Sequence, residues 1–166
     1  MSVETKSAIA DMLYRYCRGL DRMDKPLALS VFHPRSELDY DHMFKGTGPG
    51  FIDWVWGQHR AMARHSHNIT NLYVEAAGDK AASEAYVMVL LRLEAPDGVS
   101  VIQGNGRYLD QWVRFENRWV IKTRRYVHEF EDKRKLGHDA VPQTKSTSRR
   151  DPSDPSYSLL PKLTFE

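Results

Sequence analysis

From Ile9 the apolar residues recur at Ile9, Met12, Leu13, Tyr16, Cys17 and Leu20, a three-and-four spacing that lays one face of an amphipathic helix against a core. The spacing predicts a first helix ending near Gly19 to Asp21. Asp24 then reads as an N-cap with Pro26 in the following first turn. Leu27, Leu29, Val31 and Phe32 supply a short second helix, stopped at His33-Pro34 because the residue before a proline is pushed out of helical conformation. Glu37 to Asp41 reads as a short strand. Turn residues Gly46-Thr47-Gly48-Pro49-Gly50 lead into a third helix whose apolar face is Ile52, Val55, Trp56, His59, Met62 and Ala63.

After His65 the period changes. Four extended segments follow, at about His67 to Ala76, Ala82 to Glu94, Val99 to Phe115 and Arg118 to Glu131, with turns at Gly78-Asp79, Pro96-Asp97-Gly98 and Glu116-Asn117. Runs such as Tyr86-Val87-Met88-Val89-Leu90-Leu91 are apolar on both parities, so both faces of the sheet should be covered. One face packs on the helices, and the other needs a partner subunit or a closed-over cavity. Gly104 and Gly106 within one strand imply a bend that curls the sheet. From Leu136 the composition turns to Ser, Thr, Pro and isolated charges, and such a tail lacks a core of its own. The organisation expected is one domain over 1–136 and an extension over 137–166, anchored on its own or a neighbouring subunit by Tyr157, Leu159, Leu160, Leu163 and Phe165.

Composition narrows the function classes. The 166 residues suffice for one domain with a sizeable core. Lys and Arg number 24 against 22 Asp and Glu, a balance that gives no sign of nucleic-acid binding. Cys17 is the sole cysteine, so no intrachain disulfide forms and nothing argues for an oxidising compartment. No apolar stretch approaches the ~20 residues of a membrane span, and Met1 to Ala8 lacks the pattern of a leader. A soluble cytoplasmic protein is expected, with neither nucleic acid nor membrane as partner.

The candidate chemistry begins at Asp21. The last unpaired carbonyls of a helix carry partial negative charge, so a carboxylate there calls for a cationic or hydrogen-bonding partner, and an Asp-His pair is a common general base. His67, opening a strand just after a helix, is that partner by placement, with His65 as competitor. Tyr16 and Tyr40 are either core aromatics or proton donors. Arg107 and Arg124 on strands, His128, and one of the paired Trp54 and Trp56 rings are candidate substrate contacts, Trp56 among them. Seven histidines include His59, His65 and His67, but their spacing does not form the paired helical ligands of a zinc enzyme, and no metal is expected. The glycines of Gly46 to Gly50 lack the Lys-Ser/Thr ending of a phosphate loop, and Cys17 lies on the apolar face rather than beside a base.

Helix, short helix, strand, helix and antiparallel meander is an order that resembles the SnoaL-like branch of the nuclear-transport-factor-2-like superfamily, over roughly residues 5–132. Tyr16-Cys17-Arg18-Gly19-Leu20-Asp21 resembles the helix-end motif of bile-acid dehydratases. Glu37-Leu38-Asp39-Tyr40 is similar to the segment of scytalone dehydratase that supplies a catalytic tyrosine. Arg64-His65-Ser66-His67-Asn68-Ile69-Thr70-Asn71 resembles the stretch bearing the catalytic histidine in both and in lindane dehydrochlorinase. Gly106-Arg107-Tyr108-Leu109-Asp110 with Arg118-Trp119-Val120-Ile121 is similar to the penultimate hairpin of the branch.

The resemblance implies an α+β cone-shaped barrel, with three N-terminal helices packed on a strongly curved, mostly antiparallel sheet that encloses a cavity. It implies a homo-oligomer, a trimer or else a dimer. It further implies a cofactor-independent dehydratase in which Asp21 and His67 abstract a carbon-bound proton from a hydrophobic cyclic substrate, aided by Tyr16 or Tyr40. The same scaffold serves isomerases, polyketide cyclases and non-catalytic binders, and these alternatives stay open. Leu20 stands where scytalone dehydratase has a tyrosine, and His128 lies near the place of a bile-acid dehydratase arginine, so substrate identity does not transfer.

Overall fold

The computed structural model describes residues 2–137 and 146–160. The first helix, α1 (Val3–Asp21), is capped by the Ser2 side chain, which accepts from the Thr5 N–H, satisfying one of the orphan donors of the first turn. It buries Ile9, Met12, Leu13, Tyr16, Cys17 and Leu20, the face given by the spacing. Gly19 is buried with them because α2 (Lys25–Leu29) crosses so closely that a Cβ there would lie 2.6 Å from the Ala28 backbone nitrogen.

Between α2 and α3 the structure departs from the pattern reading. Val31 and Phe32 do not belong to the second helix, because β1 (Phe32–Asp39) already begins at Phe32, ahead of His33-Pro34. Long-range pairing captures the segment: Ile121 N–H donates to Val31 O at 2.8 Å and Phe32 aligns with Ile121. Pro34, which has no N–H to give a ladder, falls where the pairing shifts register between Phe32 and Glu37. The glycine run is also more ordered than a turn. It holds a short edge strand, β2 (Lys45–Thr47), and α3 (Gly48–Arg60) starts inside it, with Thr47 accepting from the Gly50 N–H. Gly48 packs on Ser36 and Phe32 with no room for a side chain.

The meander consists of β3 (Arg64–Ala77), β4 (Lys80–Ala95), β5 (Gly98–Phe115) and β6 (Arg118–Leu136). The strand order is β2-β1-β6-β5-β4-β3 in one six-stranded sheet. β1 runs parallel to β6, and the remaining pairs are antiparallel. Gly78 at φ 57°, and Glu116 and Asn117 at φ 49° and 59°, supply the left-handed turns that tight hairpins require. The bend expected at the glycines is present: the β5–β6 pairing slips between Asn105 and Gly106, and a Cβ on Gly106 would stand 2.4 Å from the Tyr126 ring.

The fold is α+β, with helices packed on a curved sheet that stays unclosed, since β2 and β3 are its edges; "barrel" therefore overstates its closure. Its inner side carries Trp112, Val87, Ala85 and Tyr108, packed with the buried faces of α1 and α3. Among the described residues no helix is long and apolar enough to cross a membrane. The C-terminal segment 146–160 includes α4 (Ser156–Leu159), and it docks by polar contacts rather than by leucines. Arg22 pairs with the buried Asp154 at 2.8 Å, and Tyr157 lies under the Arg18 guanidinium with its hydroxyl donating to Asp24. Leu159 and Leu160, expected as anchors, are 77% and 60% exposed; Leu163 and Phe165 lie outside the described residues.

Candidate active site

The end of α1 and the start of β3 meet at the expected pair. His67 Nδ1–H donates to Asp21 Oδ1 at 2.7 Å, and the His67 backbone N–H donates to Oδ2 at 3.0 Å. Both carboxylate oxygens are thus held, which offsets the unfavourable place of Asp21 at a helix C-terminus. The side chains are 6% exposed for His67 and 15% for Asp21. With the proton on Nδ1 committed to Asp21, the lone pair of this imidazole resides on Nε2, and among the described residues no group bonds that nitrogen.

His65, the competing histidine, has a structural task. Its Nε2–H donates to Leu20 O at 2.9 Å, satisfying a carbonyl of the last turn of α1, and its Nδ1 accepts from Arg150 Nη1 at 3.4 Å. Burial lowers its pKa, so the ring is neutral. Cys17 is also excluded from nucleophilic work, since burial and then Asp21 push its pKa up to about 12.

His67 faces a cavity of about 390 Å³ between the helices and the curled sheet. Its walls are aromatic and aliphatic, including Tyr16, Tyr40, Phe51, Trp54, Val89, Ile102, Tyr108 and Tyr126. Tyr16 Oη and Tyr40 Oη are 3.2 Å apart. Behind them Arg124 Nη1 lies 3.5 Å from Tyr40 Oη and makes two parallel 2.7 Å bonds to Asp110. The guanidinium sits 3.8 Å from the centroid of Tyr108 and 4.7 Å from that of Tyr16. Burial pushes the Tyr16 and Tyr108 hydroxyls well above the usual tyrosine range, raises Tyr40, and takes Tyr126 to about 12. All four keep their protons. Burial also raises Asp110, against the pull of Arg124, but paired short bonds are the geometry of a carboxylate on a guanidinium, and arginine does not give up its proton.

Of the residues expected to contact substrate, His128 lines the cavity at its exposed mouth, beside Glu131. Arg107, Arg124 and Trp56 do not line it. Arg107 is on the outer sheet face, bonded to Glu129 at 2.6 Å and Glu84 at 3.1 Å. Arg124 is sealed against Asp110. Trp56 is buried in the core, and the neighbouring Trp54 provides the lining indole. Residues that pattern reading did not single out are Tyr108, Tyr126, Gln58 and Glu131, and His59 entered as a helix-face position and a rejected metal ligand, not as a substrate contact. Tyr108 and Tyr126 face each other across β5 and β6, as do Asp110 and Arg124, so their signal lies in strand register, which short-range pattern does not contain.

The SnoaL-like domain pattern matches residues 1–125. The chain belongs to the SnoaL-like family. Solved structures that share its fold include a candidate scytalone dehydratase from Novosphingobium aromaticivorans, 19% identical with a TM-score of 0.68 over 84% of this chain and 93% of that one. A candidate aromatic ring hydroxylase from the same species is 23% identical, with a TM-score of 0.71 over 82% of this chain and 96% of that one. A hexachlorocyclohexane dehydrochlorinase is 17% identical, with a TM-score of 0.72 over 86% and 97% of the two chains. At these identities the likeness is one of fold, and no curated protein matches the sequence. In this chain the curled sheet and the helices enclose a cavity whose wall carries an Asp-His pair.

Proposed function

We propose that this protein is a cofactor-independent lyase of the dehydratase type, acting on a hydrophobic cyclic alcohol or ketone. The observation that carries the reading is the 2.7 Å Asp21–His67 bond at the wall of an aromatic cavity. Asp21 fixes the tautomer and stabilises the imidazolium, as a general base of this kind requires. His67 Nε2 takes the carbon-bound proton, the electron pair becomes the new carbon–carbon double bond as the carbon–oxygen bond breaks, and the imidazolium returns the proton to the departing hydroxyl. Water leaves and His67 ends neutral.

The tyrosines serve as hydrogen-bond donors, because their raised pKa values make them poor full acids. With an Arg124 N–H directed at Tyr40 Oη, a cooperative chain runs from Tyr40 O–H to Tyr16 Oη and leaves the Tyr16 hydrogen for a substrate carbonyl or leaving oxygen. Arg124 then acts through Tyr40 instead of anchoring the substrate, and His128 contacts substrate at the mouth. The proposal includes a cytoplasmic homo-oligomer, a trimer in preference to a dimer. Its support is the exposed Tyr73, Tyr86, Leu90 and Phe130, and light scattering checks it.

The test is a panel of six-membered-ring β-hydroxy ketones, read by the absorbance of the conjugated enone that loss of water forms. Conversion by the wild type and its loss in His67→Ala are expected. Equal conversion by both would remove the dyad from the mechanism. Exchange of the ring α-hydrogen with solvent deuterium, without water loss on any panel member, would transfer the same base to a double-bond isomerase.

A further inference from the structure

His59, on the last turn of α3, shares the cavity wall with His67 and is 4% exposed. Its ring centroid lies 5.5 Å from that of His67 and 4.1 Å from that of His65. The three rings differ in how they are satisfied. His67 Nδ1–H donates to Asp21, and His65 uses both nitrogens on the protein. His59 Nδ1 is buried and has no hydrogen-bond partner among the described residues. Buried polar atoms in native structures are nearly always paired, and His59, an exception, belongs to a side chain that also lines the cavity.

The rest of the wall indicates what kind of occupant fits. Its polar groups are tyrosine hydroxyls, the Gln58 amide and imidazoles; among the described residues Glu131 at the mouth is the one lining residue of ordinary formal charge, and neither Lys nor Arg lines the cavity. Burial lowers the His59 pKa to about 2, with His65, His67 and Arg150 acting in the same direction. The ring is therefore neutral, one donor and one acceptor, and has no charge with which to hold an anion.

We propose that His59 is a substrate-binding and specificity-determining residue, whose neutral imidazole hydrogen-bonds an oxygen of an uncharged ring substrate held against His67. The site then selects ring alcohols and ketones over carboxylated analogues and over the bare hydrocarbon. Neutral-on-neutral recognition discriminates because an analogue lacking the oxygen leaves the ring nitrogen unpaired again. This deepens the lyase reading and rests on the same cavity being the active site.

The experiment reads binding instead of turnover, by ligand-observed NMR with three probes of one skeleton: 2-indanone, indane and indane-2-carboxylate. Wild type, His59→Leu and His59→Gln are compared, with thermal melts to establish that each is folded. Wild type is expected to prefer the ketone over indane by about tenfold and to bind the carboxylate most weakly. His59→Leu should abolish the ketone preference with indane affinity unchanged, and His59→Gln, which keeps a donor and an acceptor, should retain most of it. The proposal fails if wild type shows no ketone preference, if His59→Leu keeps it, or if His59→Gln loses it as completely as His59→Leu. Because no reaction is involved, a retained ketone preference alongside inactivity on the hydroxy-ketone panel would sink the lyase reading and leave this one standing.

Discussion

Two aspartates in the same fold each hold a nitrogen-bearing partner, and the two pairs are built for opposite ends. Asp110 and Arg124 have fully buried side chains, share two bonds of 2.7 Å, and are enclosed by the rings of Tyr16, Phe32 and Tyr108. Asp21 and His67 share one side-chain bond, keep slight exposure, and leave Nε2 uncommitted at a cavity. In the first pair the guanidinium spends two N–H groups on the carboxylate and directs Nη1 at Tyr40, an arrangement that holds position. In the second the partner is an imidazole with a second ring nitrogen, and the carboxylate orients the ring while leaving that nitrogen open. The difference teaches that burial and short distances alone do not nominate a pair for chemistry; a lone pair left open toward a cavity does.

The largest effect expected is on turnover. Replacing His67 with Ala should lower kcat by about 10² to 10⁴, the range contributed by a positioned acid–base group, with little change in melting temperature. Asp21→Asn keeps the shape and should cost about 10² or more by unfixing the tautomer. Steady-state kinetics on a responsive hydroxy ketone, beside thermal melts, separates the two quantities. A variant that loses stability in proportion to activity would make the dyad structural and erase the contrast with Asp110–Arg124.

The next effect falls on the other pair and on stability. Asp110→Asn or Arg124→Met leaves one buried partner uncompensated and should cost about 3–5 kcal/mol in denaturant unfolding. Replacing both, as Asp110→Leu with Arg124→Met, should be less damaging than either single change, because two desolvated charges leave together. The double variant should still lose activity, since Tyr40 no longer receives the Arg124 hydrogen that orients the Tyr16 hydroxyl. Activity intact in a folded double variant would mean that the buried pair contributes nothing to the chemistry.

The two pairs also differ in how far they could be read from sequence. The buried face of α1 followed from spacing alone, and Asp21 stood out because helix electrostatics disfavours it there. His67 was marked by likeness and by its place at a strand opening. Asp110 and Arg124 fall on separate strands, and only the β5–β6 register sets them opposite each other. The start of β1 at Phe32 and the strand β2 were hidden for the same reason, since pairing with distant chain overrode local turn and helix signals. Periodicity placed His59 on the inner face of α3, yet a helical face looks the same in sequence whether it meets packed side chains or a cavity.

A smaller effect separates the neutral histidines from the dyad by pH. Burial depresses the pKa values of His59, to about 2, and of His65. In the unfolded chain both titrate near 6.5, so the unfolded state takes up protons that the folded state refuses. Stability is full above that value and declines as pH falls below it. Between pH 7 and 5 protonation of the unfolded chain at His59 costs about 2 kcal/mol, and His65 acts in the same direction. Urea midpoints at the two pH values should show the decline in wild type and a shallower one in His59→Gln. Equal declines would mean that His59 takes up its proton in the folded state.

The smallest effect concerns a third pair, Asp154–Arg22, which lies between the other two in character and sits one residue from Asp21. Asp154 accepts from the Arg149 N–H, from Ser156 and from Arg22, and these contacts, led by the backbone bond from Arg149, hold its pKa well below the usual carboxylate range. The folded-state pKa is depressed, so the docking of 146–160 is fully supported above about pH 4, the free aspartate value, and is lost as pH falls through the depressed value. The histidine decline begins near 6.5, well above this window, so the fall between pH 7 and 5 belongs to the histidines and the loss of docking sets in only below about pH 4. Trypsin resistance at Arg149 and Arg150 at pH 7.5 should drop a few-fold in Asp154→Ala, while the melting temperature of 1–136 stays near wild type. If the segment merely covers the helix end, turnover follows the melting temperature and is unchanged. If Arg150, through His59 O at 2.7 Å and His65 Nδ1, helps to set the histidine rings, Asp154→Ala lowers turnover without unfolding, and the dyad is then supported from a part of the chain that lacks a core of its own.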